Sequence, residues 1–271
     1  MGLRTTATDN RRRLLMAAGV GLGAGFLSGL FGVGGGVLIV PPLVYALGFE
    51  QRLAHGTSLA AVLPIAASGV VAYAIEDKVD WRVAAMLALG AVLGAIVGTH
   101  LLLVLPRRAL TIGFAILLLA TAARLLLDHS EATGREPLSI LGILGLVATG
   151  LAAGALAGLL GVGGGIVLVP AMVVLFGIPA AVAKGTSLAV IIPTAMMGTL
   201  RNRQRANADL RVAAAVGIAG VASGFPAGLI ATRLDETLSN VLFAILLVIA
   251  TAYLLYDLAN ERRAGDDVAV D

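Results

Sequence analysis

The stretch Ser28–Val44, SGLFGVGGGVLIVPPLV, interrupts a long apolar run with four glycines among the five residues of Gly32–Gly36. Each glycine costs about 1 kcal/mol relative to alanine inside a helix, and a packing stripe uses glycines four residues apart rather than consecutive ones. The apolar run from Leu14 to Leu47 is too long for one spanning helix and too short for two, since a span needs about 20 residues. The stretch therefore predicts a helix, a glycine bend and a shorter helix beginning at Val37.

The whole chain has the composition of an integral membrane protein. Of its 271 residues, 59% are hydrophobic and 13% are charged, and the mean hydropathy is +0.98; globular domains are about one quarter charged. Cysteine is absent, which excludes disulfides and thiolate metal sites, and we expect no cofactor and no metal. The arginines lie in short loops beside apolar runs, where the positive-inside rule accounts for them, so no nucleic acid partner is expected.

The same bend occurs twice. A shift of 129 residues places Gly21–Pro41 on Gly150–Pro170 and Ala54–Pro64 on Ala183–Pro193, so the chain contains a duplicated unit. Each repeat holds five apolar segments, at 14–33, 36–48, 57–75, 82–104 and 108–127, then at 138–160, 165–177, 186–200, 210–232 and 237–259.

An odd number of segments makes the second repeat enter the membrane from the opposite side. The linker 76–80 is acidic, whereas its counterpart 201–209 carries three arginines, so equivalent loops face opposite sides. We predict an all-α integral membrane protein with two inverted-topology repeats and broken or half helices after the glycine-rich bends. Its predicted parts are a cytoplasmic N-terminal tail (1–13), repeat 1 (14–127), an outer linker (128–137), repeat 2 (138–259) and a cytoplasmic C-terminal tail (260–271).

The glycine bends are the first candidate site. A helix that starts after such a bend presents unpaired N–H groups at its positive end, which binds anions without a basic side chain. The Gly-Thr-Ser motifs open the next apolar runs and are predicted to cap further helices, with plain capping left open as their only role. Inverted repeats bind substrate near the bilayer midplane. The predicted substrate-binding residues are Gly34, Gly35, Gly36, Thr57, Ser58, Gly163, Gly164, Gly165, Thr186 and Ser187.

Two ionisable residues precede the Gly-Thr-Ser motifs, His55 in repeat 1 and Lys184 in repeat 2. If buried, Lys184 is a fixed countercharge for an anion, and His55 can carry a proton with it. The alternative is that both side chains extend to the membrane interface.

The motifs GLFGVGGGVLIVP (Gly29–Pro41) and GLLGVGGGIVLVP (Gly158–Pro170), the paired GTSL turns and VDW (Val79–Trp81) resemble the TauE/SafE sulfite exporter family, also called the toluene sulfonate uptake permease family. The resemblance covers about residues 14–259. It implies a multi-pass permease of a bacterial or archaeal plasma membrane that moves sulfite, sulfonates or related sulfur-containing anions and is driven by protons. Its partners are then the anion and the lipid bilayer, and a homodimer stays open.

Two other functions compete with this interpretation. A serine hydrolase would use Ser58 or Ser187 as nucleophile and His55 as base, but only one repeat keeps the histidine, so we expect no enzyme. An anion channel is the closer alternative, because glycine-rich backbone also lines selectivity filters. Inverted repeats with broken helices fit alternating access better.

Overall fold

The computed structural model describes residues 7–101, 107–127, 139–160, 164–204 and 207–268. These residues form helices joined by short turns, and no strand occurs among them, which confirms the all-α class. The predicted linker 128–137 lies outside the described residues. The helices are α1 (Ala7–Phe31), α2 (Gly36–Tyr45), α3 (Gln51–Ile75), α4 (Trp81–Leu101), α5 (Arg107–Leu127), α6 (Ile140–Leu160), α7 (Gly165–Phe176), α8 (Ala180–Gln204), α9 (Leu210–Arg233) and α10 (Glu236–Val268).

Helix lengths fall into two classes. By length and composition, five of the described helices can cross a membrane, namely α1, α3, α8, α9 and α10. The shortest are α2, with 10 residues, and α7, with 12. At 1.5 Å per residue they extend about 15 and 18 Å, roughly half of a 30 Å hydrocarbon core. Each begins directly after a glycine bend, as predicted.

Four helices begin or end well away from the predicted bounds. Both terminal helices reach into the predicted tails, since α1 begins at Ala7 and α10 continues to Val268. More consequentially, α3 begins at Gln51 and α8 at Ala180, so each Gly-Thr-Ser motif lies inside a helix. The prediction that these motifs begin helices is therefore wrong, and their contacts, described below, give the physical reason.

Helices from different repeats pack side by side in two bundles. In the first bundle, α9 of repeat 2 packs against α1 and α3 of repeat 1, and α2 packs against the same two helices. In the second bundle, α4 of repeat 1 packs against α6 and α8 of repeat 2, and α7 packs against α6 and α8. On α1, Gly21 and Gly25 lie against Val216 and Gly220 of α9, so these two helices run parallel. The missing side chains allow the backbones to touch.

Contacts of the first bundle recur in the second at the 129-residue shift. On α6, Gly150 lies against Leu87 of α4 and Gly154 lies against Ala91, the counterparts of the α1 and α9 contacts. Exchanging the two repeats therefore maps one bundle onto the other, as in an isologous interface.

The two bundles meet where α3 crosses α8. Leu188 of α8 packs against Gly69 of α3, and Leu59 of α3 packs against Gly198 of α8, so the two helices run antiparallel. The buried apolar side chains separate largely along the same division, except that Leu188, Ile191 and Ala195 of α8 belong to the core of the first bundle. One core is built mainly from α1, α2, α3 and α9, and the other from α4, α6, α7 and α8, with α5 and α10 added.

Candidate functional site

The last carbonyl groups of helix α1 accept hydrogen bonds from a neighbouring side chain. The Tyr73 hydroxyl on α3 is buried and lies 3.0 Å from the carbonyl oxygen of Gly29 and 3.2 Å from that of Leu30. Carbonyl groups at a helix end have no partner within the helix. Tyr73 therefore stabilises the end of α1 at Phe31, and the chain can turn back there.

The bend then returns the chain into the bundle. Gly35, at φ 75°, is the N-cap of α2, and Gly164, at φ 80°, is the N-cap of α7, a left-handed conformation that favours glycine. A Cβ atom at Gly35 would lie 3.0 Å from the carbonyl oxygen of Ala24, about two turns before the end of α1. Helix α2 thus begins in the interior, and no described side chain caps it or α7.

The beginnings of the two short helices meet at Ile191 of α8, which is fully buried. A Cβ atom at Gly34 would lie 2.7 Å from Ile191 Cδ1, and one at Gly165 would lie 2.6 Å from the same atom. The latter would also lie 2.6 Å from the carbonyl oxygen of Val33. The structure thus brings Gly34 and Gly165 together; Gly163 lies outside the described residues.

Serine hydroxyls lie near the same elements. Ser58 Oγ donates to the carbonyl oxygen of Gly36 at 3.4 Å. Ser187, its counterpart on α8, is fully buried, and its Oγ has no hydrogen-bond partner among the described residues. The same holds for Ser28 on the last turn of α1, which the sequence analysis missed. The sequence feature that could have identified Ser28 is a hydroxyl in an apolar segment, at a position where repeat 2 has Ala157.

The Gly-Thr-Ser threonines contact the opposite repeat. Thr57 Oγ1 accepts the backbone N–H of Asp209 at 2.9 Å, and Thr186 Oγ1 accepts that of Asp80, also at 2.9 Å. Each aspartate in turn caps the start of the helix that follows it, α9 or α4. The threonines therefore hold the entry of a helix from the other repeat, which is a tertiary contact and not a cap of their own helix.

Lys184 is buried, with 1% of its surface exposed. Its Nζ donates to Ser239 Oγ at 2.8 Å and lies 5.0 Å from the ring centroid of Phe243 and 5.9 Å from that of Phe31. Among the described residues it forms no ion pair; the carboxylate of Glu236, in the first turn of α10, acts on it from farther away. Burial is the condition under which Lys184 was expected to act as a countercharge, and that role stays a prediction.

Lys184 and His55 occupy equivalent places at opposite ends of the crossing. Lys184 precedes Ile191 by about two turns of α8, or roughly 10 Å. A Cβ atom at Gly32 would overlap the Lys184 backbone, so the residue lies beside the end of α1. His55 is half-buried near the start of α3. Neither residue is placed at the meeting point of the short helices by the described contacts.

Comparisons with known proteins identify a family and relatives of this chain. The model of the family described as sulfite exporter TauE/SafE matches residues 15–150 and 146–269. A "Probable membrane transporter protein" of Xylella fastidiosa (strain 9a5c) is 29% identical over 90% of this chain and 95% of its own length. The "Probable membrane transporter protein YunE" of Bacillus subtilis is 26% identical over 88% of this chain and 96% of its own. No solved structure matches. Because the family matches cover nearly the whole length, the chain is a membrane transporter of the sulfite exporter TauE/SafE family.

Proposed function

We propose that this protein is a plasma-membrane permease for sulfite, a sulfonate or a related sulfur-containing anion. It works by alternating access at a site between the repeats, near the middle of the bilayer, and protons drive it. Both termini lie in the cytoplasm. The matching family's description names sulfite, and the geometry supports a small oxyanion.

The meeting of α2 and α7 at Ile191 carries this proposal. Both helices begin at a left-handed glycine without a capping side chain from the described residues, so each directs unpaired N–H groups and a positive dipole end into the interior. Oxyanions bind to such helix N-termini. Ser187 and Ser28 add buried hydroxyls without partners among the described residues. The proposed site comprises Gly34–Gly36, Gly163–Gly165 and the serines, with Thr57 and Thr186 positioning the helices around it.

The antiparallel crossing of α3 and α8 supports inverted topology, because these helices are counterparts in the two repeats. With the N-terminus in the cytoplasm, Lys184 lies on the outer side of the site and His55 on the inner side. The Lys184 ammonium is then a fixed countercharge on the outer path. Histidine is the side chain best suited to carry a proton at physiological pH, so His55 can exchange a proton with the cytoplasm.

Flux into proteoliposomes tests the function. The purified protein is assayed with sulfite, sulfate, thiosulfate and sulfoacetate, with and without an imposed pH gradient. We expect saturable flux of at least one of the sulfur oxyanions, and we expect the pH gradient to change its rate. Non-saturating current would show a channel instead, and the absence of flux with every anion would overturn the proposal.

Proton coupling has its own test in His55→Gln. We expect the variant to keep anion exchange at equal pH on both sides and to lose acceleration by the pH gradient. The matched substitution in repeat 2, Lys184→Gln, should weaken anion affinity instead. Acceleration retained in His55→Gln would remove His55 from the coupling mechanism.

A further inference from the structure

The Gly-Thr pairs show how the two repeats are tied together. A Cβ atom at Gly56 would overlap the carbonyl oxygen of Asn207, and one at Gly185 would overlap that of Lys78. The threonine that follows each glycine accepts the N–H of Asp209 or Asp80, two residues farther along the same turn. Each Gly-Thr pair therefore holds the turn of the other repeat at two points. We call these contacts the two clasps.

Each clasp fixes two helices of one bundle to each other although they belong to different repeats. Each clasp glycine also touches the other bundle, Gly185 at Tyr73 of α3 and Gly56 at Asn202 of α8. The clasp at Gly56 and Thr57 fixes the start of α9 to α3, within the first bundle. The clasp at Gly185 and Thr186 fixes the start of α4 to α8, within the second. The glycine contacts between α1 and α9 and between α4 and α6 strengthen the same bundles. Close backbone packing and hydrogen bonds thus make each bundle a continuous unit.

The contacts along the middle of the α3–α8 crossing are of another kind. Backbones of the two bundles come close beside the crossing, where Gly32 meets the Lys184 backbone and Gly165 meets the Val33 carbonyl oxygen. Along the α3–α8 crossing, Leu188 fits against Gly69 and Leu59 against Gly198, so apolar side chains meet small residues. Such contacts have no fixed direction, and packed helices can slide or tilt against each other there. The meeting point of α2 and α7 lies on the same boundary, since Gly34 of the first bundle touches Ile191 of the second.

We propose that the bodies that move during transport are the two bundles, not the two sequence repeats. The bundles tilt about the α3–α8 crossing and expose the site at Ile191 to one side at a time, while each clasp stays closed. This inference rests on the proposed transport function and adds which parts of the chain stay together. If the two repeats moved as rigid bodies instead, α1 would have to move against α9 and the first bundle would come apart during transport.

Cysteine cross-links distinguish the two mechanisms, and the chain supplies a background without cysteine. The pair Leu22→Cys and Ser223→Cys joins the repeats inside the first bundle, where Ser223 Oγ donates to the Leu22 carbonyl oxygen at 2.7 Å. The pair Leu59→Cys and Gly198→Cys joins the bundles. A Cβ atom at Gly198 would lie 2.8 Å from Leu59 Cδ1. Replacing Leu59 by the shorter cysteine removes that atom and leaves room for the cysteine at position 198.

We expect the Leu59–Gly198 link, made with an oxidant or a short bifunctional thiol reagent, to lower anion flux at least tenfold, and a reductant to restore it. The Leu22–Ser223 link should leave flux within about twofold of the reduced protein. The pair Gly69→Cys and Leu188→Cys is the counterpart of the Leu59–Gly198 pair at the 129-residue shift. Its link should lower anion flux as well. Inhibition by the Leu22–Ser223 link, or full flux with both links across the crossing, would overturn the inference.

Each variant is first assayed in the reduced state, with size-exclusion profiles as a control for folding. A second readout needs no anion flux. A third cysteine, Ile191→Cys, is exposed to a water-soluble maleimide; the Leu59–Gly198 link should slow its labelling at least tenfold, and the Leu22–Ser223 link should not. Labelling that follows this pattern in a protein without flux would refute the proposed function alone, and labelling slowed by the Leu22–Ser223 link would refute the moving bundles.

Discussion

Among the described residues, Lys184 is the one charged side chain that is buried, and a single hydrogen bond satisfies its ammonium group. Burying a cation among apolar segments is costly, so such residues are retained mainly for function. Ser239 supplies one hydrogen bond and the rings of Phe31 and Phe243 supply weaker attraction. A transported anion near Lys184 would supply the negative charge that these partners lack.

Lys184→Met separates a substrate role from a structural one. Because the substitution removes a buried charge and keeps the volume, we expect unchanged or higher thermal stability. The apparent affinity for the transported anion should fall at least tenfold, measured from the concentration dependence of flux. Ser239→Ala is the control that loses the hydrogen bond and keeps the charge, and its effect should be smaller. Unchanged affinity in Lys184→Met would show that the charge does not meet the substrate.

Ser187 and Ser58 are counterparts with different surroundings. Ser58 Oγ contacts the Gly36 carbonyl oxygen, whereas Ser187 Oγ has no partner among the described residues. An unsatisfied buried hydroxyl costs about 1–3 kcal/mol. Ser187→Ala should therefore not lower the thermal unfolding midpoint, and it should raise the anion concentration needed for half-maximal flux. A lowered midpoint with unchanged transport would assign Ser187 a structural role.

At the scale of the element, α2 and α7 depend on their left-handed glycines. Gly35→Ala strains the backbone by about 1–2 kcal/mol and places a Cβ atom beside the first N–H groups of α2. Gly48, at φ 69° with open space around it, carries the same strain away from the site. We expect Gly35→Ala to lose anion flux at least tenfold and Gly48→Ala to keep it at similar unfolding midpoints. Equal flux in both variants would contradict the assignment of the α2 N-terminus to the anion.

The far end of α7 is held by Arg124 of α5, whose guanidinium donates to the carbonyl oxygens of Val173 and Val174 at 2.8 and 3.0 Å. A cation at a helix C-terminus is favourable, and a hydrogen bond to a charged group contributes about 1.5–3 kcal/mol. Arg124→Gln should therefore lower the unfolding midpoint and the transport rate together. Arg124→Lys keeps the charge, so we expect a smaller loss of both quantities. A midpoint unchanged in Arg124→Gln would show that α7 needs no such support.

At the scale of the whole molecule, neither repeat can form a complete bundle alone, because each bundle takes helices from both. A chain divided between Leu127 and Ser139 tests this interlocking. Each half expressed alone should be degraded, since the glycine faces of α1 and α6 would lack their partners. Co-expressed halves should assemble and transport. A stable, monodisperse first half on its own would contradict the interlocked bundles.

Much of the architecture follows from the sequence alone. Its hydropathy fixes the class, the 129-residue shift reveals the duplication, and the consecutive glycines locate the breaks before α2 and α7. These are local properties, because glycine weakens a helix and permits positive φ wherever it stands. The beginning of α3 at Gln51 was missed, since its N-cap Glu50 makes no side-chain capping bond that a pattern could signal.

The tertiary structure decided what the Gly-Thr pairs do. Their glycines admit the carbonyl oxygens of Lys78 and Asn207, and their threonines accept N–H groups from residues more than 100 positions away in the chain. No local preference encodes such a contact, because a short helix-compatible motif is equally consistent with a cap. The sequence by itself therefore determined where the chain breaks, and the folded molecule alone determined which segments the breaks bring together.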